Sequence, residues 1–166
     1  RGRLPENLMV AKPLPYGRQI IDAADRRAVD KVLRSAWLTQ GPDVTKFEEA
    51  LAAVCGTKHA VACSNGTAAL HLACLAAGLK PGDEAVVPAL TFAATANAAL
   101  YCGAEPVIVD ITSDTLTIDP SAVEKALTPK TKAILPVHCA GLPADMEAIG
   151  KLARAKGVTV IADGAN

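Results

Sequence analysis

Apolar residues along the chain alternate between short continuous runs and longer segments with helical spacing. The short runs, of which 106–111 is rich in β-branched residues, predict buried strands at residues 60–63, 85–88, 106–111, 133–137 and 158–162. The longer segments predict helices at residues 21–36, 43–55, 67–77, 93–102, 120–127 and 145–156. Continuous apolar strands separated by helices are typical of a mostly parallel sheet covered on both faces. The pattern therefore predicts an α/β fold.

The helices carry their own start and stop signals. We expect Asp43 and Asp119 to cap helix N-termini, and glycines to end helices at Gly56, Gly78, Gly103 and Gly157. Two helices are amphipathic, with apolar faces that include Val29, Leu33, Phe47, Leu51 and Val54. The helix at 67–77 is apolar nearly all round, which predicts that it is buried.

Composition narrows the class of protein. The 166 residues include 17 basic and 17 acidic side chains, so the net charge is zero and the basic surplus of a nucleic-acid binder is missing. A hydrophobic content of 51% with 20% charged residues argues against disorder. The five cysteines show no CxxC spacing, which argues against a disulfide scaffold or a zinc ribbon.

One uncharged stretch, residues 85–104, has the length of a membrane span. Because Pro88 splits the stretch and most of its apolar residues are alanines, we interpret it as a strand, a loop and a packed helix. Residues 1–10 lack the apolar core of a secretory signal, so we expect a cytoplasmic protein. Met9 is one candidate for the native start, in which case residues 1–8 derive from an expression vector.

Candidate chemistry lies where the predicted strands end, because parallel sheets bind ligands at the carboxyl ends of their strands. These positions are Ser64 to Ala68, Thr91, Phe92, His138, Cys139 and Asp163. The run Ser64-Asn65-Gly66-Thr67-Ala68 leads into a helix, where free N–H groups suit a phosphate. Taken alone, however, these residues fit an ordinary helix cap better. The chain contains neither a Walker loop nor a GxGxxG motif.

The other candidates also have plain structural explanations. A partly buried Asp163 would want a cationic partner, but an aspartate in a turn or at a helix cap is common. Phe92, taken alone, fits core packing better than a cofactor platform. His71 and Cys74 share one helix face, but we interpret them as structural and predict no metal site.

Six segments occur in the order typical of one family. They are Thr39 to Pro42, Ser64 to His71, Pro81 to Glu84, Leu90 to Ala98, Pro129 to Ile134 and Pro143 to Met146. With them the chain resembles the DegT/DnrJ/StrS family of pyridoxal-phosphate sugar aminotransferases over residues 16–166. The run Leu90 to Ala98 is most similar to the branch that makes 4-amino-4,6-dideoxy sugars for pseudaminic acid.

The resemblance implies a fold type I large domain, like that of aspartate aminotransferase, and pyridoxal 5'-phosphate as cofactor. It further implies amino transfer from glutamate to a nucleotide-linked keto-deoxy sugar, in a homodimer. Carried over by position, the amides around Gly66, Thr67 and Ala68 would hold the cofactor phosphate. Phe92 would stack on the pyridine ring, and Asp163 would pair with its nitrogen.

Two departures from the family pattern matter. Asn166 stands where the family usually has Gln or His, whose side chain bonds to the cofactor's phenolic oxygen, and Asn is one methylene shorter than Gln. None of the ten lysines matches the family's Schiff-base lysine, which lies downstream of the aspartate. We therefore expect residues 1–15 to be a tail, residues 16–166 to be the N-terminal part of the cofactor-binding large domain, and the chain alone to be inactive.

Two other functions are also compatible with the sequence. One is a non-catalytic protein with the same fold, used for binding or regulation. The other is a different fold type I enzyme, such as a cysteine desulfurase or a lyase, although the runs Leu90 to Ala98 and Pro143 to Met146 speak against it. The loop from Trp37 to Pro42 would lie near the dimer interface, or would simply connect two helices.

Overall fold

A computed structural model of the chain describes residues 19–165, which fall into two compact units that meet in sequence between Ala60 and Val61. The tail predicted at residues 1–15 and the candidate Asn166 lie outside the described residues. The first unit is helical, and the second contains the sheet.

The first unit contains helices α1 (Ala23–Leu33) and α2 (Pro42–Cys55). Helix α1 begins two residues later than predicted, at a capping box in which Asp22 accepts the N–H of Asp25 and Asp25 accepts the N–H of Asp22, and it ends three residues earlier than predicted. The N-cap of α2 is Gly41, so the prediction that Asp43 caps this helix was wrong.

Proline explains where α2 begins. Pro42 takes the first helical position, which suits its fixed φ and missing N–H, and this places Asp43 inside the first turn. There the carboxylate of Asp43 accepts a hydrogen bond from Lys46 at 2.9 Å, which lowers the pKa of Asp43 below its ordinary value. Gly56 ends the helix with a φ of +62°, as predicted.

The apolar faces predicted for α1 and α2 remain largely exposed. Ala52 is the one buried residue of the two helices. Val29, Leu33, Phe47 and Val54 are all more than half exposed. The periodicity predicted the stripes correctly, but no core within the described residues covers them.

The second unit contains a parallel sheet, as predicted, but with four strands rather than five. Its strands are β1 (Glu84–Pro88), β2 (Glu105–Val109), β3 (Thr131–Ile134) and β4 (Thr159–Val160), in the order β2-β1-β3-β4. Its helices are α3 (Gly66–Ala76), α4 (Ala94–Tyr101), α5 (Pro120–Ala126) and α6 (Met146–Lys156). Asp119 and Asp145 cap α5 and α6 through their side chains, and Gly157 ends α6.

The core lies in two layers, one on each face of the sheet. Ala85 and Val87 point from β1 into a layer shared with α3 and α4, while Val86 points into a layer shared with α5 and α6. Ala85, Val86 and Val87 are completely buried, which explains why this part of β1 is a continuous apolar run.

Two further predictions about secondary structure were wrong. Residues 60–63 belong to none of the four strands of the sheet, and Val61 is 78% exposed. Helix α3 is not buried all round: only Leu70 and Cys74 are buried, and Leu72 and Leu75 are about half exposed. An apolar run alone does not reveal whether a partner element covers it.

The uncharged stretch at residues 85–104 forms β1, a loop and α4, as interpreted from the sequence. Among residues 19–165, no helix combines the length and the apolar character that a membrane span requires.

Candidate functional site

An open cavity of about 310 Å³ lies within the second unit, beyond the carboxyl ends of its strands. It brings together three of the stretches singled out in the sequence: the start of α3, the loop after β1 and the segment after β4. The chain runs from β1 outward to β2 and then crosses back to β3, so the topology reverses beside β1. Parallel sheets bind ligands next to such a reversal. The residues that line the cavity are Gly66, Thr67, Leu70, Phe92, Ala94, Asp163 and Ala165.

The backbone of Asp163 is held as a continuation of the sheet. Its N–H donates to the carbonyl of Pro136 at 2.8 Å, and its carbonyl accepts the N–H of His138 at 3.0 Å. Ile161, two residues earlier, packs in the layer with α3 and α4. Because side chains two apart point to the same face, the carboxylate of Asp163 turns toward α4.

The carboxylate of Asp163 is nearly buried, with 3% of the residue exposed. Oδ2 accepts the hydroxyl of Thr95 at 2.7 Å, and Oδ1 accepts the N–H of Ala165 at 3.1 Å. None of the ion pairs within residues 19–165 involves Asp163. The cationic partner expected from the sequence is therefore not supplied by the described residues, and the charge faces the cavity.

Thr95 is the residue that sequence reasoning missed. It lies on α4, is fully buried, and its hydroxyl also contacts the hydroxyl of Thr91 at 2.6 Å. A signal for it exists in the sequence, since a threonine among alanines on a buried helix needs a hydrogen-bond partner. The partner itself lies 68 residues away, so the sequence could not identify it.

The start of α3 combines a cap with free donors. Asn65 is the N-cap, and its side chain accepts the N–H of Ala68 at 2.9 Å, so the helix cap expected at residues 64–68 is confirmed. The N–H groups of Gly66 and Thr67 belong to the first turn and find no acceptor within residues 19–165. These two donors, rather than that of Ala68, are the ones left available to an anion.

Gly66 makes a close contact that only glycine permits. A Cβ atom added at this position would lie 2.8 Å from the Cβ of Ala165. The absence of a side chain therefore lets the start of α3 approach the segment that follows Asp163. This approach closes one wall of the cavity.

Phe92 follows β1 and is 68% exposed, so it is not a core residue. Its ring borders the same cavity as Gly66 and Asp163. An exposed aromatic ring at the edge of a cavity is the arrangement that a flat ligand would use for stacking. The interpretation of Phe92 as core packing was wrong.

The remaining candidates have structural roles. The Nδ1 atom of His138 accepts the N–H of Ala144 at 3.2 Å, and the ring of His71 packs edge-on against Tyr101. Burial, reinforced by the neighbouring thiol of Cys102, raises the pKa of Cys74 to about 11. No cluster of three or more metal-ligating side chains occurs in the described part of the chain.

Comparison with known proteins identifies the family to which the chain is similar. The family model of the DegT/DnrJ/EryC1/StrS aminotransferases matches residues 19–166. The spore coat polysaccharide biosynthesis protein SpsC of Bacillus subtilis is 46% identical over 153 residues, which cover 92% of this chain and 39% of SpsC. The chain therefore spans about two fifths of the length of this relative.

Solved structures agree with the fold. DesV of Streptomyces venezuelae, whose structure contains a ketimine intermediate, is 44% identical with a TM-score of 0.81, covering 83% of this chain and 37% of DesV. The sugar aminotransferase Spr1654 of Streptococcus pneumoniae in its PMP form is 32% identical with a TM-score of 0.85, covering 92% of this chain and 42% of that protein. Spr1654 also has a PLP form.

These likenesses confirm the predicted fold type I architecture and show relatives that bind pyridoxal and pyridoxamine phosphate. They do not single out the pseudaminic-acid branch. The match over residues 19–166 shows that the chain belongs to the DegT/DnrJ/EryC1/StrS aminotransferase family.

Proposed function

We propose that the full-length gene product containing this chain is a pyridoxal-phosphate-dependent aminotransferase. Its amino donor is glutamate and its acceptor is a nucleotide-linked keto-deoxy sugar of cell-surface polysaccharide synthesis. Family membership and the 46% identity to SpsC, a polysaccharide biosynthesis protein, support the substrate class. In this proposal residues 16–166 form the N-terminal part of the large domain, and the enzyme is a homodimer.

One observation carries the proposal. A buried carboxylate with no cationic partner among residues 19–165, an exposed aromatic ring and two free helix N–H groups border the same cavity. Pyridoxal phosphate offers a matching group for each: a ring nitrogen that carries a proton, a flat apolar face and a phosphate. The residues present therefore fit this cofactor.

The proposed roles follow from this fit. Asp163 accepts a hydrogen bond from the protonated ring nitrogen, and Phe92 covers one face of the ring. The N–H groups of Gly66 and Thr67 hold the phosphate. Ala68 belongs to the same turn, although its own N–H is used by Asn65. Asn166 remains the candidate for the phenolic oxygen.

When bound, the cofactor supplies an electron sink for the substrate's amino carbon. The chain's own contribution is to hold and orient that sink. The carboxylate of Asp163 keeps a proton on the ring nitrogen, and Phe92 excludes water from one face. In this proposal the lysine that binds the cofactor covalently lies outside these 166 residues.

The test uses the purified full-length gene product with pyridoxal phosphate, glutamate and a nucleotide-linked keto-deoxy sugar. We expect 2-oxoglutarate and an amino sugar, both detected by mass spectrometry. Borohydride reduction followed by peptide mapping should locate the cofactor on a lysine outside residues 1–166. An adduct on one of the ten lysines here would contradict the domain assignment.

The same assay separates the alternatives. Release of sulfide or alanine from cysteine, without turnover of glutamate, would indicate a desulfurase or lyase. Cofactor binding with neither activity would indicate a binding or regulatory protein. Failure to bind either pyridoxal or pyridoxamine phosphate would overturn the proposal.

A further inference from the structure

Helix α4 places one hydroxyl in an otherwise apolar layer. Its neighbours Ala94, Ala98 and Ala99 are buried with Thr95, and the layer between α3, α4 and the sheet is otherwise hydrophobic. Burying a hydroxyl costs free energy unless it is hydrogen-bonded. Thr95 meets this requirement with two bonds, to Asp163 at 2.7 Å and to Thr91 at 2.6 Å.

The polarity of this chain of bonds follows from counting protons. An ionised carboxylate only accepts, so the hydroxyl proton of Thr95 goes to Oδ2 of Asp163. The proton of Thr95 is used in that bond, so Thr91 must donate in the 2.6 Å bond between the two threonines, which is shorter than its other contact, with the carbonyl of Phe92 at 3.3 Å. The relay therefore runs from Thr91 through Thr95 to Asp163.

The relay fixes the orientation of the carboxylate. With Thr95 on Oδ2 and the N–H of Ala165 on Oδ1, rotation of the carboxylate would break one bond or the other. A carboxylate has about four acceptor sites, so two donors leave acceptor capacity directed at the cavity. Among residues 19–165, no cationic side chain forms an ion pair with Asp163, so the remaining acceptor sites stay available to a ligand.

We propose that Thr95 is a positioning residue for Asp163, and that Thr91 orients Thr95. The hydroxyl of Thr95 holds the carboxylate in the rotation that accepts the ring nitrogen of the cofactor. The inference rests on the proposed function, because it assigns Asp163 to that nitrogen. It adds two residues of α4 and its leading loop to the cofactor site, neither of which lines the cavity.

The test compares variants of the full-length gene product for binding of pyridoxamine phosphate, which needs no covalent link. Thr95→Val keeps the shape and removes the hydroxyl, while Thr95→Ser keeps the hydroxyl. We expect Thr95→Val to weaken binding five- to tenfold, measured by calorimetry, and Thr95→Ser to stay within twofold of wild type. Thr91→Val should weaken binding about twofold, since the bond to Asp163 remains.

A second readout addresses the ring nitrogen directly. With pyridoxamine phosphate labelled with ¹⁵N in the ring, the wild-type complex should give the chemical shift of a protonated pyridine. In Thr95→Val the shift should move toward that of the unprotonated ring, and Thr95→Ser should restore it. A role limited to stability would change the unfolding midpoint without moving this shift.

Thr117→Val is the matched control. Thr117 is also a buried threonine, 5% exposed; its hydroxyl bonds to Thr115, and neither residue lines the cavity or bonds to Asp163. Its replacement should leave both the affinity and the ¹⁵N shift unchanged.

Three results would overturn the inference while leaving the proposed function intact. They are wild-type affinity and ¹⁵N shift in Thr95→Val, equal losses in Thr95→Ser and Thr95→Val, or an equal loss in Thr117→Val. If Thr95→Val does not fold, unchanged binding in Thr91→Val together with a wild-type shift would overturn it. Absence of binding by the wild-type protein would instead overturn the proposed function.

Discussion

The contact between Gly66 and Ala165 allows a sharp prediction about the wall of the cavity. In Gly66→Ala the new Cβ would lie 2.8 Å from the Cβ of Ala165. Since carbon atoms pack best at about 3.5–4.0 Å, one of the two segments must move by about 1 Å. Overpacking of this kind typically costs about 1–3 kcal/mol.

The movement would also reach Asp163. The N–H of Ala165 donates to Oδ1 of that carboxylate, so a displaced Ala165 loosens one of its two bonds. We therefore expect Gly66→Ala to lower the free energy of unfolding by about 1–2 kcal/mol and to weaken pyridoxamine phosphate binding. Urea denaturation and calorimetry of the full-length gene product measure the two effects.

Two variants make the prediction specific. Ala165→Gly removes the opposing Cβ, so the double variant should recover most of both losses, with a coupling energy of about 1 kcal/mol or more. Gly150→Ala is the control, because its Cβ would meet only the end of the flexible Arg154 side chain at 3.2 Å. In the interior of α6 this change should be neutral or stabilising by up to about 1 kcal/mol. Equal effects of Gly66→Ala and Gly150→Ala, or no recovery in the double variant, would refute the reasoning.

Three other predictions concern the same unit. Asp163→Asn keeps the shape of the side chain and should fold, but it should abolish the ¹⁵N signal of the protonated ring in bound pyridoxamine phosphate. Asp163→Ala should also lower the free energy of unfolding by about 1–3 kcal/mol, because the hydroxyl of Thr95 loses its acceptor. Burial raises the pKa of Cys74 to about 11, so the folded state keeps this thiol neutral where the unfolded chain would lose the proton; the free energy of unfolding should therefore be unaffected by this group below pH 9 and should fall between about pH 9 and 11. Alkylation of the native protein at pH 8 should label the exposed Cys55 and spare the buried Cys74. Ile149→Ala removes a fully buried side chain between α6 and the sheet and should lower the free energy of unfolding by about 2–5 kcal/mol, measured by urea denaturation.

Local signals in the sequence predicted the elements that depend on local chemistry. Gly56 and Gly157 end helices in the left-handed conformation, and Asp119 caps α5, because a helix end is decided by a few adjacent residues. The continuous apolar run at 85–88 also predicted strand β1, which the structure covers on both faces.

Features that depend on a distant partner were not predictable. Residues 60–63 have the composition of a strand, yet they are not part of the four-stranded sheet. The apolar stripes of α1 and α2 predicted a buried face, but burial depends on what covers it. Sequence placed Asp163 and Phe92 on the same rim, while the bond to Thr95 joins segments 68 residues apart.

The sheet-like pairing of Asp163 has a consequence for how this protein can change by insertion and deletion. Side chains alternate along the paired segment, so a residue inserted between Val160 and Asp163 would turn the carboxylate toward the opposite face, away from α4. An insertion beside Gly157, before the pairing begins, would leave that alternation intact. Insertions and deletions that preserve the cofactor site should therefore occur at the turn before β4, because a change of length there does not alter which face the side chain of Asp163 points to.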